Sequence, residues 1–391
     1  MKTLITGVST RAIAESAVKS GHDVFTIDYF GDHDQKQIVE NYSLLRDFNL
    51  PFKAENLIAV SSSFDFDSLV YISNFENFPE LLDKAPQQVR ILGNSTQTLR
   101  KVRDWKVLRD FMTTDNIPFP ETLLCGEEMR AHNQKGWLLK PTNSGGGSRI
   151  KAWEGERLSH HQIIQRYVEG IPASISFLAD GHKSLLIGLS AQLIGLNELG
   201  ANGCTWCGNI LPPPVTKDEY HQLIKMLKKY AASLTETFGL KGACGIDFII
   251  ARDHKGAVKP IILEVNPRYT ASMELAEMAY GLNIYSLHIH AVNGTLPHFS
   301  LLSQDNSIYY AKGILFSQYD IKVKSTRGWM DKGIRDIPFE GDEIGAGQPV
   351  CTILTEGGSY KECESSLFSM AETIKHEVFD IIPIPAKGNM L

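Results

Sequence analysis

The 391-residue chain has no block of lysine or arginine, and its formal net charge is −6 at pH 7, so nucleic acid is not an expected partner. It has no apolar run long enough to span a bilayer, and Met1 to Gly7 has no signal-peptide stretch. The expectation is a cytoplasmic protein with no membrane partner. Six cysteines, at 125, 204, 207, 244, 351 and 363, are too few in a chain this long for a disulfide scaffold. Cys204-Thr205-Trp206-Cys207 lacks the second pair that a structural zinc needs. Pro212-Pro213-Pro214 follows too closely for the helix that a redox pair opens, so the segment reads as a loop near an acceptor site. Internal repeats and low-complexity segments are also absent, as are the GxxxxGK[ST] and GxGxxG phosphate loops.

Against these absences stands Gly245-Ile246-Asp247-Phe248-Ile249-Ile250, then a turn, then Pro260-Ile261-Ile262-Leu263-Glu264-Val265-Asn266-Pro267-Arg268. Ala251 to Gly256 carries turn residues, so the flanking apolar runs read as a hairpin. Glu264 and Asn266, two apart on one strand, share a face, and Asp247 on the partner strand points into the same cleft. Acids inside apolar runs are costly to bury unless a cation sits against them. Hard oxygen donors suit Mg²⁺ or Mn²⁺, with phosphate oxygens and water completing the octahedron. A satisfied acidic pair at a sheet rim is the plainer alternative.

Upstream, Trp137-Leu138-Leu139-Lys140-Pro141 delivers one lysine at a strand end, and Thr142-Asn143-Ser144-Gly145-Gly146-Gly147 follows at once. Three glycines let backbone N–H groups approach phosphate oxygens without Cβ obstruction, and Lys140 adds a point charge for the same anion. A bare triple glycine is more often only a flexible loop. The lysine before it and the acid hairpin after it favour a phosphate cover.

On these motifs the chain resembles the ATP-grasp superfamily, in its carboxylate–amine ligase and carbamoyl phosphate synthetase-like branch, best over residues 94 to 295. The resemblance implies ATP with Mg²⁺ or Mn²⁺ as cofactors. Lys140 with Ser144, Gly145, Gly146 and Gly147 would hold the phosphates, and Asp247, Glu264 and Asn266 would hold the metal. Arg268 would steady the transferred phosphoryl group, with Lys140 as its second catalytic cation. Ile163 to Gly170 is similar to the family's hinge between its ATP-holding subdomains. There the backbone of Tyr167 and Val168 would read adenine, Gln165 would sit near the exocyclic amine, and Glu169 would take the ribose hydroxyls. Two departures stand out: Asp247 replaces the usual glutamate, and Trp105 occupies the place of a usual helix cation. Lys106 and Arg103 are therefore ATP-contact candidates whose alternative is an ordinary solvated helix cation.

The rest of the chain reads more coarsely. Residues 2–6, 11–20 and 23–28 form a β-α-β start, with Ala12, Ile13, Ala17 and Val18 turned inward on the helix, which predicts a parallel sheet of Rossmann-like type. Asp28, Asp32 and Asp34 read as a solvated loop, and the resemblance makes Ser9 and Arg11 candidates for holding substrate. His160-His161 reads as preceding a helix that leads to Gln165. Residues 173–179 and 185–190 read as a hairpin, and Thr216 with Glu219 opens a helix by a capping box that Gly239 closes. The expected class is α/β: a Rossmann-like pre-ATP-grasp domain over 1–93, an α+β ATP-grasp domain over 94–300, and a small β-rich domain over 301–391. No lysine stands in a Met-Lys-Met context, so biotin attachment has no support.

The function implied by the resemblance is ATP-dependent ligation of a small-molecule carboxylate to an amine through an acyl phosphate, releasing ADP and phosphate. The run from Glu264 to Glu274 looks most like a subgroup tied to one-carbon cofactor synthesis, of methanofuran or tetrahydromethanopterin type. A carboxylase acting through carboxyphosphate is the nearest rival. A catalytically silent nucleotide-binding module is the alternative outside enzymes, and a homodimer is one assembly that the resemblance allows.

Overall fold

A computed structural model describes residues 2–131, 135–147 and 149–381, with only the backbone for 377–381. The end of the expected third domain, 382–391, lies outside the described residues. The chain opens with a five-stranded parallel sheet in the order Glu40–Ser43, Val24–Asp28, Thr3–Thr6, Ser68–Tyr71, Arg90–Ile91. Its three central strands are buried along their whole length, as in a sheet covered on both faces.

The helix Arg11–Lys19 follows the first strand, but its buried face differs from the expected one. Arg11, Ile13, Ala14, Ser16 and Ala17 point inward, while Val18 is among the exposed apolar residues. The face is set by a buried ion cluster around Arg11 as well as by apolar pattern. The solvated-loop reading of the acids is overturned with it, because Asp28 and Asp34 are 0 % exposed and Asp32 is 6 % exposed. Asp28 accepts from the Thr10 hydroxyl at 2.7 Å and from the Gly31 amide at 3.0 Å. Asp34 accepts the backbone amides of Asp336 and Ile337 at 3.0 and 2.9 Å, so it joins the beginning of the chain to residues some 300 positions later.

The centre is an eight-stranded antiparallel sheet built on two long hairpins, Ile171–Asp180 with Ser184–Ile194 and Lys241–Arg252 with Val258–Asn266. The helix Lys217–Phe238 covers one face, capped by reciprocal Thr216–Glu219 hydrogen bonds and ended by Gly239 at φ +66°. Leu223, Leu227, Ala231 and Leu234 from this helix share a buried cluster with Ile175, Phe177, Ile246 and Phe248 from the strands. A separate four-stranded antiparallel sheet, Thr122–Leu124, Gln162–Arg166, Trp137–Pro141, Lys151–Ala152, carries the lysine strand. Gln165 stands on a strand of this sheet, so no helix follows His160-His161.

Beyond residue 300, Tyr309–Phe316, Pro349–Gly357 and Ile334–Arg335 extend the eight-stranded sheet instead of forming one of their own. They are packed by the helix Tyr360–Val378, whose Cys363, Leu367, Ala371 and Ile374 are buried. The short strands Ile321–Val323, Glu343–Ile344 and Phe379–Ile381 make a three-stranded sheet beside it. No helix among the described residues is long and apolar enough to cross a membrane.

Candidate active site

The acid hairpin pairs Asp247 directly with Glu264 and Gly245 with Asn266, which puts all the expected donors on one face. The register shifts immediately after Asp247, an irregularity that re-aims side chains at sheet sites. Gly245 is required here because a Cβ would stand 2.7 Å from Thr270 Cγ2. Asp247 Oδ1 accepts from Gln192 Nε2 and Oδ2 from Asn266 Nδ2, each at 2.9 Å. Burial first, and the neighbouring Glu264 charge second, push the Asp247 carboxyl up to about 7. Its two hydrogen-bond partners are neutral amides, so no cation bonds Asp247 directly among the described residues.

Two arginines flank the pair. Arg103 Nη1 lies 3.5 Å from Glu264 Oε2 and donates to the Val265 carbonyl at 3.3 Å. Arg268 donates from Nε to Glu76 at 2.7 Å, from Nη1 to the Tyr269 carbonyl at 3.0 Å, and from Nη2 to Asn266 Oδ1 at 3.5 Å.

Lys140 reaches the site from the four-stranded sheet. Its Nζ donates to Gln165 Oε1 at 2.6 Å, and Gln165 Nε2 donates to the Thr122 hydroxyl at 3.1 Å, which fixes the amide orientation. Burial lowers the lysine's pKa, although Glu264, Cys204 and Asp247 pull it back up, so the ammonium senses both acids from the opposite sheet. In the loop beyond, Ser144 Oγ lies 3.4 Å from the Pro141 carbonyl. Nothing stands within 4 Å of where a Cβ would be at Gly145 or Gly146, which leaves the backbone there open to an anion. Gly147 is different: its φ is +73° and a Cβ would stand 2.0 Å from the Cys204 carbonyl. Trp206 N–H also donates to the Gly146 carbonyl at 2.8 Å, so the Cys204–Trp206 segment seats the glycine loop. Cys207 is buried and its thiol donates to the Leu193 carbonyl.

The hinge residues Tyr167, Val168 and Glu169 form the irregular link between Gln162–Arg166 and Ile171–Asp180. The Tyr167 amide donates to the Gly136 carbonyl at 2.8 Å, so of its backbone groups only the carbonyl is left for a ligand. Its ring is 61 % exposed, and Glu169 is exposed as well. Lys106 stands apart from the acids: it lies on the solvent face of the helix Trp105–Thr114, paired with Asp110 one turn on at 2.8 Å. Trp105 takes the buried position and Arg103, just before the helix, turns inward, because Asp104 caps the helix between them.

The donor set fits a hard divalent cation. Asp247, Glu264 and Asn266 offer oxygens on one face, and the raised Asp247 pKa reflects burial first and the adjacent Glu264 charge second. No group of three or more His, Cys, Asp or Glu side chains suited to a metal exists among the described residues, so ligand oxygens would complete the shell.

Reading the sequence alone misses Gln192, Thr122, Glu76 and Asn77. A polar Gln in the apolar run from Leu189 to Ile194 was a signal for the first. The position of Glu76 and Asn77 after a parallel strand, at the carboxyl edge where such sheets bind ligands, was a signal for the last two.

This arrangement, a lysine-and-glycine sheet facing an acid-bearing antiparallel sheet, defines an anion- and cation-binding cleft between two β-layers. Residues 103–272 match the family described as the ATP-grasp domain. An uncharacterized protein of Methanocaldococcus jannaschii is 23 % identical over 93 % of this chain and 92 % of its own length. The fold is similar to that of the biotin carboxylase domain of Hydrogenobacter thermophilus 2-oxoglutarate carboxylase, solved as a dimer with MgADP, ADP and bicarbonate. The TM-score is 0.71 at 14 % identity, over 97 % of this chain and 90 % of that one. It is also similar to an L-amino acid ligase of Bacillus licheniformis, with a TM-score of 0.65 at 14 % identity over 98 % of this chain and 99 % of the ligase.

Proposed function

We propose that the protein is an ATP-dependent carboxylate–amine ligase that uses Mg²⁺ or Mn²⁺, forms an acyl phosphate, and releases ADP and phosphate. The observation that carries the reading is the Asp247–Glu264 pair, with Asn266 beside it and Lys140, Arg103 and Arg268 around it. When bound, the metal would supply Lewis-acid screening of phosphate oxygens. Asp247, Glu264 and Asn266 would hold it, the Gly145–Gly146 backbone and Lys140 would bind the phosphates, and Arg268 would face the charge on the group in transfer. The hinge carbonyl of Tyr167, the Val168 backbone and Gln165 would meet adenine, with Glu169 toward the ribose. Lys106 is left out of this assignment because of its place on the solvent face. The ligase fold spanning nearly the whole of both chains supports the reading. We assign the substrates, more narrowly, to one-carbon cofactor synthesis of methanofuran or tetrahydromethanopterin type, on the run from Glu264 to Glu274.

A carboxylase acting through carboxyphosphate is the second reading, favoured by the fold similarity to the biotin carboxylase domain. Hydroxylamine separates the two. With a panel of amino-acid and dicarboxylic substrates, the ligase is expected to give a hydroxamate and ADP, and Arg268→Ala is expected to lose both. Bicarbonate-dependent ADP release without hydroxamate would establish the carboxylase, and AMP formation would count against both.

A further inference from the structure

A short segment of the N-terminal unit enters the acid site. The strand Ser68–Tyr71 ends at the carboxyl edge of the parallel sheet, and the single turn Phe75–Asn77 follows it. Glu76, 2 % exposed, accepts Arg268 Nε, while the far end of the same guanidinium lies against the Asn266 amide oxygen. Asn77 Oδ1 accepts Arg103 Nη2 at 2.8 Å, and the other end of that guanidinium faces Glu264. Adjacent residues therefore hold two arginines, one on each side of the acid hairpin. A pair that served only to dock the two units would be expected to use all its polar atoms. Here Glu76 Oε2, Asn77 Nδ2 and Arg103 Nε are buried with no hydrogen-bond partner among the described residues, which leaves them free to bond a ligand or water at the site.

We propose that Glu76 is a positioning residue for phosphoryl transfer, acting through Arg268, and that Asn77 does the same for Arg103. The inference rests on the ligase reading only in taking the transferred phosphoryl group as what Arg268 meets. An unrestrained arginine must lose rotamer freedom to meet its target, and donors help most when they are already aimed where charge develops. Glu76 supplies that aim from outside the ATP-grasp domain, whose match begins at residue 103.

The test uses the full chain and calorimetric binding of Mg·ADP with and without fluoroaluminate, a mimic of the phosphoryl group. Wild-type protein is expected to bind Mg·ADP more tightly with fluoroaluminate. Glu76→Ala is expected to lose about tenfold of that gain, less than the roughly hundredfold that removal of an aimed donor itself costs, because Arg268 is still present, while binding of Mg·ADP alone is unchanged. Glu76→Gln, which keeps an acceptor oxygen, should retain most of the gain. In an Arg268→Ala background, Glu76→Ala should change nothing further, as coupled residues do in a double-mutant cycle. Should Glu76→Ala not fold, Glu76→Asp carries the same expectation, since its carboxylate stops one methylene short of Arg268. Full gain in the Glu76 variants, equal loss of Mg·ADP binding itself, or effects that add to those of Arg268→Ala would each overturn the inference. Loss in Arg268→Ala alone would leave the ligase reading standing without it. A wild-type protein indifferent to fluoroaluminate would remove both.

Discussion

Asp247 and Glu264 on the acid hairpin and Glu274 and Asp336 around Arg11 are pairs of acids sunk among buried groups, yet their surroundings treat them in opposite ways. Around Arg11, charge is matched inside the protein. Glu274 accepts from Arg11 Nη1 at 2.5 Å, Arg11 Nη2 at 3.1 Å and Lys312 Nζ at 2.6 Å, and Asp336 accepts from Arg11 Nε at 3.0 Å. Burial pushes both carboxyls up, but Arg11 and Lys312 outweigh it, and both end below the usual carboxylate range. At the hairpin, burial and a like charge act together on Asp247, and no arginine or lysine hydrogen-bonds it among the described residues. The first cluster joins the N-terminal sheet, the helix Met273–Tyr280 and the segment after residue 330 into one body. The second leaves Asp247 bonded to amides only, with its cations one residue further off. These acids thus divide by whether a cation hydrogen-bonds them, and Asp247, which has none among the described residues, is the candidate for chemistry.

The largest expected effect comes from opening the closed cluster. Arg11→Ala would leave Glu274 and Asp336 buried with Lys312 as their remaining cation. Breaking a buried pair by removing one partner costs about 3–5 kcal/mol, so the urea midpoint should fall sharply. A loss under about 1 kcal/mol would mean that water reaches the cluster and the contrast with the hairpin is false.

Substitution at the open site should move stability the other way and by less. Asp247→Asn removes one of two opposed charges while keeping a side chain of the same shape between Gln192 and Asn266. Without metal at pH 8 it should raise the unfolding free energy by on the order of 1 kcal/mol, and it should abolish stabilisation by Mg²⁺ with ADP. A variant destabilised as much as Arg11→Ala would show that Asp247 belongs to a closed network.

The two clusters were unequally legible in the sequence. The hairpin could be read because Asp247, Glu264 and Asn266 interrupt β-branched runs at spacings that a two-residue period turns into one face, and the glycine loop because it adjoins the lysine strand. The capping box at Thr216–Glu219 was equally local. The Arg11 cluster could not be read that way. Its members lie 263 and 325 residues from Arg11, and neither periodicity nor composition pairs such positions. Asp34 looked solvated for the same reason, since the amides that bond it belong to Asp336 and Ile337. Of the two candidates Lys106 and Arg103, Arg103 turns inward and Lys106 outward, and the Asp104 cap between them is too local a feature to show this in the sequence.

The smallest expected effect is also the one that reports most directly on the open site. A folded-state carboxyl at about 7, against about 3.9 for a free aspartate, means that between those values the native protein binds more protons than the unfolded chain. Apo stability at Asp247 should therefore fall as pH rises from about 4 to about 7 and then level off. A cation needs the ionised form, so Mg²⁺ affinity should run the opposite way, rising by up to about tenfold per unit below pH 7 and flattening above about 8. Calorimetric titration at pH 6 in two buffers of different ionisation enthalpy should detect release of close to one proton per Mg²⁺ bound, falling toward none at pH 8.5. In Asp247→Asn, both the slope and the proton release should vanish. Glu274 and Asp336 offer no such signal in this range, because Arg11 and Lys312 hold both below the usual carboxylate range. A wild-type Mg²⁺ affinity that is flat from pH 6 to 8.5 would place Asp247 among already balanced acids and leave the hairpin without its distinguishing property.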